Sequence, residues 1–468
     1  MKLPKIFSNI INIKRRNSSK NSTSLSTELP ESTLSKFIKS FKNITKKCLK
    51  NGRVALLYAI IFTLPIYVNI FTYASIDITN NKSGIFLPYV NTIFALISIF
   101  VILKIDKKYR FFFGFFVGIL WFYWMTLSFT HSYTSINHFI PISLLIIGVV
   151  YGIVFYFLLF FNNKFWRIFT LSIIGYIAIF GFDWLVIESI FAFSIFRVDK
   201  ISFIFIMICV AIFSIITSKK RFLALGALIL AIDFSYVDIK IPPNIFISQM
   251  DVDQQIKWTE DRRIVTERNF SLIDEAIENS YKMVILPETA FPFALNFADD
   301  VLEYLLEKSH NITIVTGSWK LEDGKFFNST YIFENGTMQI KSKTFLAPFG
   351  EYVPLPEFMV RIFSKITGLS YNLQKNTGRL NDVVTDILSF RSAICYEATK
   401  RDIYSDNPTF MVVISNNAWF YPSIEPILQM MIIKYYARLY KTLVIHTTNG
   451  SKSMIISPNT SLKFIANF

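Results

Sequence analysis

The sequence predicts an α-helical polytopic membrane domain of about seven spans, followed by an α/β domain. Three observations lead to this prediction. The 468 residues are 52% hydrophobic but only 17% charged, whereas soluble proteins average about 25% charged residues. Successive uncharged runs in the first half have the length that crosses a bilayer, roughly 20 residues. From about residue 244 the pattern changes to short β-branched runs. This composition excludes an ordinary soluble protein, a disordered chain and a disulfide scaffold.

Residues 1–53 are predicted to form a disordered, basic cytoplasmic tail. They contain 13 Lys and Arg residues against two acids, which leaves +11 of the formal net charge of +15 in this segment. The residues between the charges are largely Ser, Thr and Asn, which bury little apolar surface. A polybasic segment beside a membrane orients the protein and binds anionic lipid. Since no folded recognition module accompanies it, we expect no nucleic-acid partner.

Residues 54–237 are predicted to form the transmembrane domain. Acidic residues occur near the end of the fifth span (Asp183, Glu188) and within the seventh (Asp233). A carboxylate there indicates either a functional site or a solvated helix end. Trp121 and Trp124 fit an interfacial aromatic belt or a lipid pocket, and the belt is the favoured interpretation. The predicted spans are 54–76, 83–103, 111–130, 139–161, 168–187, 201–218 and 222–237.

The basic residues outside the spans predict the topology. One set of alternate loops, together with the tail, contains 22 Lys and Arg residues, whereas the other set contains three. Because basic loops stay in the cytoplasm, the N-terminus is predicted to be cytoplasmic. Seven crossings then place residues 238–468 on the opposite face of the membrane.

Residues 238–468 are predicted to form an extracytoplasmic α/β domain. Runs such as NIFISQM, KMVILPET and TFMVVISNN alternate with helical stretches such as EPILQMMIIKYYARLYK. Strands that alternate with helices of about 10–15 residues indicate layered α/β structure. Several of these strands are apolar on both faces, as expected where helices cover the sheets.

Several common types of chemistry have no support in the sequence. It contains neither of the glycine-rich nucleotide-binding motifs, G-x-G-x-x-G and G-x-x-x-x-G-K-[ST], nor the G-x-S-x-G motif of serine hydrolases. The four His residues lack the spacing of metal ligands. We therefore expect no cofactor and no metal.

A thiol, a carboxylate and an ammonium group occur at points where strands end. Cys395 is the only Cys in 238–468, which excludes an intramolecular disulfide there, and it follows the apolar run SAI. A single Cys at a strand end is either a packing residue or a reactive thiol. Glu288 follows VILP, and Lys343 precedes a loop rich in Pro and Gly. Together the three groups could transfer an acyl group, with a carboxylate base for the thiol and an ammonium for the oxyanion.

The motifs around these residues resemble one family. The segments LPET, K-x-x-L-A-P-F-G-E-Y-V-P, ICYE and SNNAWF occur in the order typical of the nitrilase (carbon–nitrogen hydrolase) superfamily. The LAPFGEYVP form behind a polytopic region resembles the apolipoprotein N-acyltransferase family. The resemblance implies an αββα sandwich that faces the outer leaflet. It also implies that Glu288 is the general base, Lys343 the oxyanion stabiliser and Cys395 the nucleophile.

The resemblance extends to residues around the site. Glu351 matches the auxiliary acid of the family, although it could instead hold the loop through Lys343 or backbone N–H groups. The chain departs from the family pattern at three places. Asn417 replaces an Asp, an acid is lost in the segment with Lys434 and Leu439, and a terminal transmembrane helix is missing. Further matches around the site are Trp258, Asn328, Tyr396, Glu397 and Trp419.

Two of these matches leave alternatives open. Trp258 and Trp419 are either core aromatic residues or contacts for an acyl chain or lid. The neighbouring pair Asn416 and Asn417 could likewise simply satisfy backbone groups at a strand end.

The function implied by the resemblance is N-acylation of the N-terminal S-diacylglyceryl-cysteine of apolipoproteins in the bacterial cytoplasmic (inner) membrane. The donor would be a membrane phospholipid, the acceptor a diacylglyceryl apolipoprotein, and the intermediate a thioester at Cys395. The first alternative is a membrane-tethered carbon–nitrogen hydrolase, such as an amidase or nitrilase. The second is a non-catalytic lipoprotein-binding relative, since the acid at Leu439 is lost.

Overall fold

A computed structural model describes residues 31–74, 86–131, 136–242, 244–367, 373–378 and 380–460. Residues 1–30 of the predicted cytoplasmic tail therefore lie outside the described residues, whereas the prediction of disorder is wrong for residues 31–53, which form the first part of a helix that begins at Glu31. The helices of the first half are α1 (Glu31–Ala74), α2 (Leu87–Lys104), α3 (Arg110–Phe122), α4 (Ile140–Leu158), α5 (Lys164–Ile173), α6 (Lys200–Ile215) and α7 (Arg221–Gly226).

In the described part of the chain, four helical segments are long and apolar enough to cross a membrane. Lys200–Ile215 and Arg221–Ala231 are shorter apolar helices. The predicted count of seven is thus supported for four spans. The four segments are Leu49–Phe71, Leu87–Lys104, Arg110–His131 and Asn137–Leu158.

The predicted fifth span, 168–187, is wrong as a continuous helix. Helix α5 ends at Ile173, and a short 3₁₀ turn at Ile174–Tyr176 leads into extended chain. Asp183 and Glu188 are not solvated at a helix end, because Asp183 pairs with Lys400 at 2.7 Å and Glu188 pairs with Lys200. Irregular backbone at this depth needs internal hydrogen-bond partners.

Arg438 supplies some of these partners. Its buried guanidinium donates to the carbonyls of Phe191, Ala192, Ser194 and Phe196 and pairs with Asp233 at 2.9 Å. The predicted seventh span, 222–237, also ends early, since its helical part stops at Ala231, just before Asp233.

The tightest helix contact in the first half is between α3 and α4. A Cβ atom added to Gly114 would lie 2.5 Å from the Cβ of Phe155, so the helices approach this closely only because Gly114 lacks a side chain. Trp121 and Trp124 are buried, with 0% and 3% exposure. The preferred assignment of these residues to an interfacial belt is therefore wrong, because a belt residue would face lipid and water.

The second half contains two six-stranded mixed sheets. The first has the order β1-β3-β5-β6-β7, with β4 beside β5, and the second has the order β12-β11-β10-β9-β8, with β2 beside β11. The strands are β1 (Ile245–Ile247), β2 (Gln249–Met250), β3 (Met283–Ile285), β4 (Phe291–Ala294), β5 (Thr313–Glu322), β6 (Lys325–Glu334), β7 (Thr337–Ser342), β8 (Asp382–Val384), β9 (Ser389–Ile394), β10 (Phe410–Asn416), β11 (Leu443–Asn449) and β12 (Met454–Ile456).

Helices cover the outer faces of both sheets. An apolar cluster between the sheets joins residues such as Ile285 and Ile414, and a second cluster packs α9 and α10 on the first sheet. Helix α12 packs on the second sheet, within the cluster that continues into the membrane helices. The helices of this half are α8 (Gln254–Thr259), α9 (Arg262–Glu278), α10 (Asp299–Lys308), α11 (Glu357–Thr367) and α12 (Glu425–Tyr440).

The strands place the candidate residues at one edge of the two sheets. Strands β1, β3 and β5 are parallel in the first sheet, as are β9, β10 and β11 in the second. The carboxyl ends of parallel strands meet at the same edge, where functional side chains of α/β domains collect. Glu288 follows β3, Cys395 follows β9 and Asn416 ends β10.

Candidate active site

Cys395 occupies a tight turn directly after β9. Its φ is +52°, in the left-handed region that residues with a side chain seldom adopt, and it starts the 3₁₀ turn Cys395–Thr399. Burial raises the pKa of the Cys395 thiol well above its usual value; Glu288 adds to the rise and Lys343 opposes it. The resting residue is therefore a thiol, which needs a base before it can act as a nucleophile.

Hydrogen bonds from three other residues fix Glu288 and its loop. Its Oε1 accepts a hydrogen bond from the Asn328 amide at 2.7 Å, and its Oε2 accepts one from the Asn416 backbone N–H at 2.8 Å. The Lys257 ammonium donates to the Glu288 carbonyl oxygen at 3.0 Å. Gly317 allows the loop to approach β5, because a Cβ there would lie 2.7 Å from the Glu288 Cα. The carboxylate is thus both buried and fixed in direction.

Lys343 follows β7 and is only 1% exposed. Its ammonium contacts both carboxylate oxygens of Glu351, at 2.9 and 2.8 Å. Burial lowers the pKa of Lys343, but the nearby carboxylates, chiefly Glu351 and Glu288, raise it above its usual value. Lys343 therefore keeps its positive charge beside the Cys395 thiol, where an acyl oxyanion would develop.

Glu351 makes both contacts of the loop-holding alternative, one to Lys343 and one to a backbone N–H group. Its carboxylate pairs with Lys343, and it also accepts a hydrogen bond from the Ala347 backbone N–H at 2.7 Å, which holds the loop. The Asn328 amide donates to Glu351 at 3.1 Å as well as to Glu288. Asn328 therefore links the two carboxylates.

Glu397 joins the turn of Cys395 to the loop of Lys343. Its fully buried carboxylate accepts hydrogen bonds from the backbone N–H groups of Thr344 at 2.6 Å, Phe345 at 3.0 Å and Ile394 at 2.8 Å. Burial raises the pKa of Glu397 to about 7, against the opposing effects of Lys343 and the three backbone groups. Glu397 therefore fixes the turn of Cys395 and the loop after Lys343 relative to each other.

Trp258 and Trp419 are partly exposed and do not belong to the buried core. Their rings lie 6.5 Å apart between centroids, and Trp319 lies 6.0 Å from Trp258. The Trp419 ring also lies 6.2 Å from His131, in the first half of the chain. These aromatic rings form an accessible apolar wall, which favours the substrate-contact alternative.

The Tyr396 side chain contacts residues of the first half of the chain. Its hydroxyl donates to Asp183 at 2.7 Å, and its ring stacks with Phe182 and Trp184. A cavity of about 360 Å³ lies on this side of the loop after Lys343. The cavity is lined by Gly181, Thr344, Phe345, Leu346, Tyr352, Lys375, Tyr396 and Lys400.

Asn417, the departure from the family pattern, takes part in a chain of amides that ends at the thiol. Its Nδ2 donates to the Gln429 Oε1 and to the Ser451 hydroxyl, each at 3.0 Å. The Gln429 Nε2 in turn donates to the Cys395 Sγ at 3.7 Å. An N–H group directed at sulfur favours the thiolate over the thiol. Asn416 and Asn417 therefore do more than satisfy a strand end.

Sequence reasoning missed three residues here: Lys257, Glu425 and Gln429. All three are buried beside the groups described above. Lys257 directly precedes Trp258, and Glu425 and Gln429 are polar residues four apart in the apolar helix α12. Such a spacing places two side chains on one helix face. The sequence could therefore have indicated that the side chains of Glu425 and Gln429 lie together on one face of α12.

The two His residues of the second half are His446 and His310. His446 lies buried in β11 beside Ser415, and burial lowers its pKa to about 3, so it is neutral. His310 is exposed at the turn before β5. The described residues contain no group of three or more His, Cys, Asp or Glu side chains that could hold a metal ion.

Comparisons with known proteins cover both halves of the chain. Residues 49–234 match the family model of the apolipoprotein N-acyltransferase integral membrane domain, and residues 247–464 match that of the carbon–nitrogen hydrolases. Fold and site thus define a membrane-integral enzyme with a carbon–nitrogen hydrolase domain.

Curated relatives narrow this class. An apolipoprotein N-acyltransferase from Wolinella succinogenes is 38% identical over 87% of this chain and 96% of its own length. Those from Helicobacter pylori and Helicobacter hepaticus are 36% and 38% identical over 86% and 79% of this chain, and over 95% and 94% of their own lengths. The chain belongs to the apolipoprotein N-acyltransferase family.

Proposed function

We propose that this protein transfers a fatty acyl group from a membrane phospholipid to the N-terminal amine of a diacylglyceryl apolipoprotein, through a thioester at Cys395. The single observation that carries the mechanism is the grouping of the half-buried Cys395 with the buried Glu288 and Lys343. The family relationship supports the acyltransferase activity. The proposed partners are the phospholipid donor, the apolipoprotein acceptor and the bilayer that holds both.

The first half-reaction forms the acyl-enzyme. Glu288 removes the thiol proton as the Cys395 sulfur attacks the ester carbonyl of the phospholipid. The ammonium of Lys343 stabilises the oxyanion of the tetrahedral intermediate. When the intermediate collapses, the C–O bond breaks, and the proton on Glu288 passes to the leaving oxygen. The products are the thioester and a lysophospholipid.

The second half-reaction uses the same groups in reverse. The neutral amine of the acceptor attacks the thioester carbonyl, again opposite Lys343. A C–N bond forms and the C–S bond breaks, and a proton from the nitrogen returns through Glu288 to the sulfur. Two half-reactions at one site predict ping-pong kinetics.

Features around the reacting groups support lipid substrates. The aromatic wall of Trp258 and Trp419 suits an acyl chain. The cavity beside Tyr396 combines apolar walls with Lys375 and Lys400, whose charges suit a phosphate group. Its position beside the membrane half is where a lipid could arrive without leaving the bilayer.

We infer three domains and one orientation for the chain. Residues 1–53 form a cytoplasmic tail, 54–237 the transmembrane domain, and 238–468 the extracytoplasmic catalytic domain. The asymmetry of the basic loops supports a cytoplasmic N-terminus in the inner membrane and an odd number of crossings, of which the four long apolar helices would supply four. The αββα sandwich then faces the outer leaflet.

Intact-mass measurement of Cys395 after incubation with phospholipid tests the function. We expect an added fatty acyl group in the unaltered enzyme and none in Cys395→Ala. Glu288→Gln should keep the fold but block acylation, because an amide cannot accept the thiol proton. Lys343→Ala should slow acylation by roughly 10²–10³-fold, as loss of one oxyanion donor does. Glu351→Gln should have a smaller effect.

The exposed His310 provides the matched control, since His310→Gln should acylate like the unaltered enzyme. Acylation that survives Glu288→Gln but stalls in His310→Gln would contradict the mechanism. Rapid release of free fatty acid, or of ammonia from a small amide, would identify a hydrolase instead. The absence of any adduct in the unaltered enzyme would favour a lipoprotein-binding relative.

A further inference from the structure

Glu425 is a buried carboxyl group that the mechanism above does not use. It lies in the first turn of α12, is 1% exposed, and its Oε2 has no hydrogen-bond partner among the described residues. No Lys, Arg or His within the described ranges forms an ion pair with it. By contrast, Glu288, Glu351 and Glu397 each accept at least two N–H hydrogen bonds. Within the described ranges, the Glu425 Oε2 thus lacks the hydrogen-bond partner that a buried carboxyl oxygen normally has.

The position of Glu425 relates it to both the thiol and the membrane. It acts electrostatically on the Cys395 thiol and on Glu288, so it lies close to the reacting groups. It also acts electrostatically on Tyr73, near the end of the first membrane helix α1. Gln429, one helical turn further along α12, contacts the Cys395 sulfur. Glu425 therefore lies near the Cys395 thiol, and the end of α1 is within its electrostatic range.

The chemistry of the second half-reaction supplies a partner for this carboxyl. An N-terminal α-amine has a pKa of about 7.7–8.0, so most acceptor molecules arrive as ammonium ions at neutral pH. An ammonium has no lone pair and must lose one proton before its nitrogen can attack a thioester. Glu288 is already engaged with Asn328 and Asn416 and serves the thiol. The acceptor thus needs a separate site for its charge and its proton.

We propose that Glu425 binds the α-ammonium group of the acceptor and takes the proton which that group must lose. This inference rests on the proposed function, of which it specifies the second half-reaction. Burial, with Glu288 adding to it, raises the pKa of Glu425 well above its usual value, which favours the neutral acid in the free enzyme. Burying a neutral carboxylic acid costs less free energy than burying a carboxylate while no cation is bound.

The protons balance in two steps. When the ammonium binds, the acid releases its proton to water and becomes the carboxylate of an ion pair. One N–H proton of the ammonium then moves to the Glu425 carboxylate, which leaves a neutral amine beside the thioester and a neutral acid again. The remaining proton released on C–N bond formation goes to the Cys395 sulfur by way of Glu288.

The test separates the two half-reactions in the full-length enzyme in phospholipid vesicles. Unaltered enzyme and Glu425→Gln are first loaded with acyl group, and the thioester is counted by intact mass. The loaded enzymes then receive either a lipopeptide with an N-terminal diacylglyceryl-cysteine or hydroxylamine, which is uncharged at neutral pH. We expect equal loading and equal release by hydroxylamine within about twofold, but transfer to the lipopeptide slowed by roughly 10²-fold in E425Q.

Controls keep this outcome distinct from other failures. Glu303→Gln, at an exposed position of α10, should match the unaltered enzyme in all three measurements. If Glu425→Gln does not fold, Glu425→Asp is the second variant. It should load normally and transfer slowly to the lipopeptide, because the shorter aspartate side chain places its carboxyl farther from the amine.

Two results would overturn the role of Glu425 while the proposed function stands. One is normal transfer to the lipopeptide in E425Q. The other is a folded E425Q enzyme that loads poorly or reacts slowly with hydroxylamine, because the residue would then serve the first half-reaction or the thioester itself. Failure of the unaltered enzyme to load at all would count against the proposed function.

Discussion

Lys257 shows how one buried residue makes the stability of this enzyme depend on pH. Its side chain is 4% exposed, and its ammonium faces the Glu288 carbonyl and not a carboxylate oxygen. Burial lowers the pKa of Lys257 to about 7, and Glu288 partly opposes this effect. In the unfolded chain the pKa is about 10.4. Between these values the unfolded chain binds more protons, so the free energy of unfolding rises with pH.

The substitution Lys257→Met tests this dependence. Methionine keeps much of the length of the side chain and removes the charge, so the variant escapes the cost of burying the ammonium. That cost is complete below about pH 7 and vanishes toward pH 10.4. We therefore expect K257M to melt at a higher temperature than the unaltered enzyme near pH 7, with an advantage that shrinks as the pH approaches 10.

Thermal unfolding in detergent at several pH values measures the difference. Lys325→Met is the matched control, because Lys325 is exposed and its substitution should cause no comparable trend with pH. A difference in melting temperature that stays constant from pH 7 to 10 would show that the ammonium of Lys257 is not destabilised by burial.

At the scale of structural elements, the site depends on the contact between the turn 395–399 and the loop 343–352. Glu397 makes this contact through three backbone N–H groups, and Glu351 closes the loop on itself through Ala347. The loop has no regular secondary structure of its own. The loop after Lys343 is therefore held against the turn of Cys395 by buried carboxylates, whereas Lys343 itself is also held beside β6 by its backbone hydrogen bond to Asn328.

Glu397→Gln should loosen this loop without changing the reacting groups. A glutamine side chain has one acceptor oxygen, and its NH₂ group would face a backbone N–H, so at least one buried donor loses its partner. Such a loss costs about 1–3 kcal/mol. We expect acylation of Cys395 to fall by roughly 10²-fold, because small displacements of catalytic groups cost that much. Limited proteolysis should cut within 343–352 more readily.

Glu357→Gln provides the control for this experiment, since Glu357 is exposed in the first turn of α11. It should leave both the acylation rate and the proteolysis pattern unchanged. Full acylation in E397Q with an unchanged cleavage pattern would mean that the loop is held by other contacts.

At the scale of the whole molecule, one buried cluster runs from the membrane helices into α12 of the catalytic domain. Arg438 on α12 holds the carbonyls of residues 191–196, and Asp183 pairs with Lys400 beside Tyr396. Charged side chains thus connect the catalytic domain to the membrane half. Some of them, such as Asp183, lie in or near predicted spans.

The orientation of this assembly is open to a direct test. The basic residues of the tail and of alternate loops predict that the C-terminus lies outside the cytoplasm. A periplasm-dependent reporter fused after Phe468 should therefore be active, and a cytoplasm-dependent reporter at the same point should be inactive. Cytoplasmic activity would contradict the odd number of crossings and the access of the site to the outer leaflet.

The sequence by itself determined the class of the molecule. Uncharged runs predict membrane helices because a bilayer admits few charges, and alternating strands and helices predict an α/β domain because each sheet must be covered. Strand ends and motif order pointed to Cys395, Glu288 and Lys343, which the structure brings to one edge of the sheets. Their chemical roles stay a prediction until the acylation experiment is done.

Only the tertiary structure decided which charges are solvated and which are paired. The fifth predicted span stops being helical after Ile173, and in the irregular chain beyond that span the carbonyls of Phe191 and Ala192 accept hydrogen bonds from Arg438, far along the chain. The Tyr396 hydroxyl donates to Asp183, and the Glu425 Oε2 has no hydrogen-bond partner within the part of the chain that the structure describes. These outcomes depend on contacts between residues up to 247 positions apart. Local pattern carries no information on them, since the energy of a buried charge depends on the groups that folding brings around it.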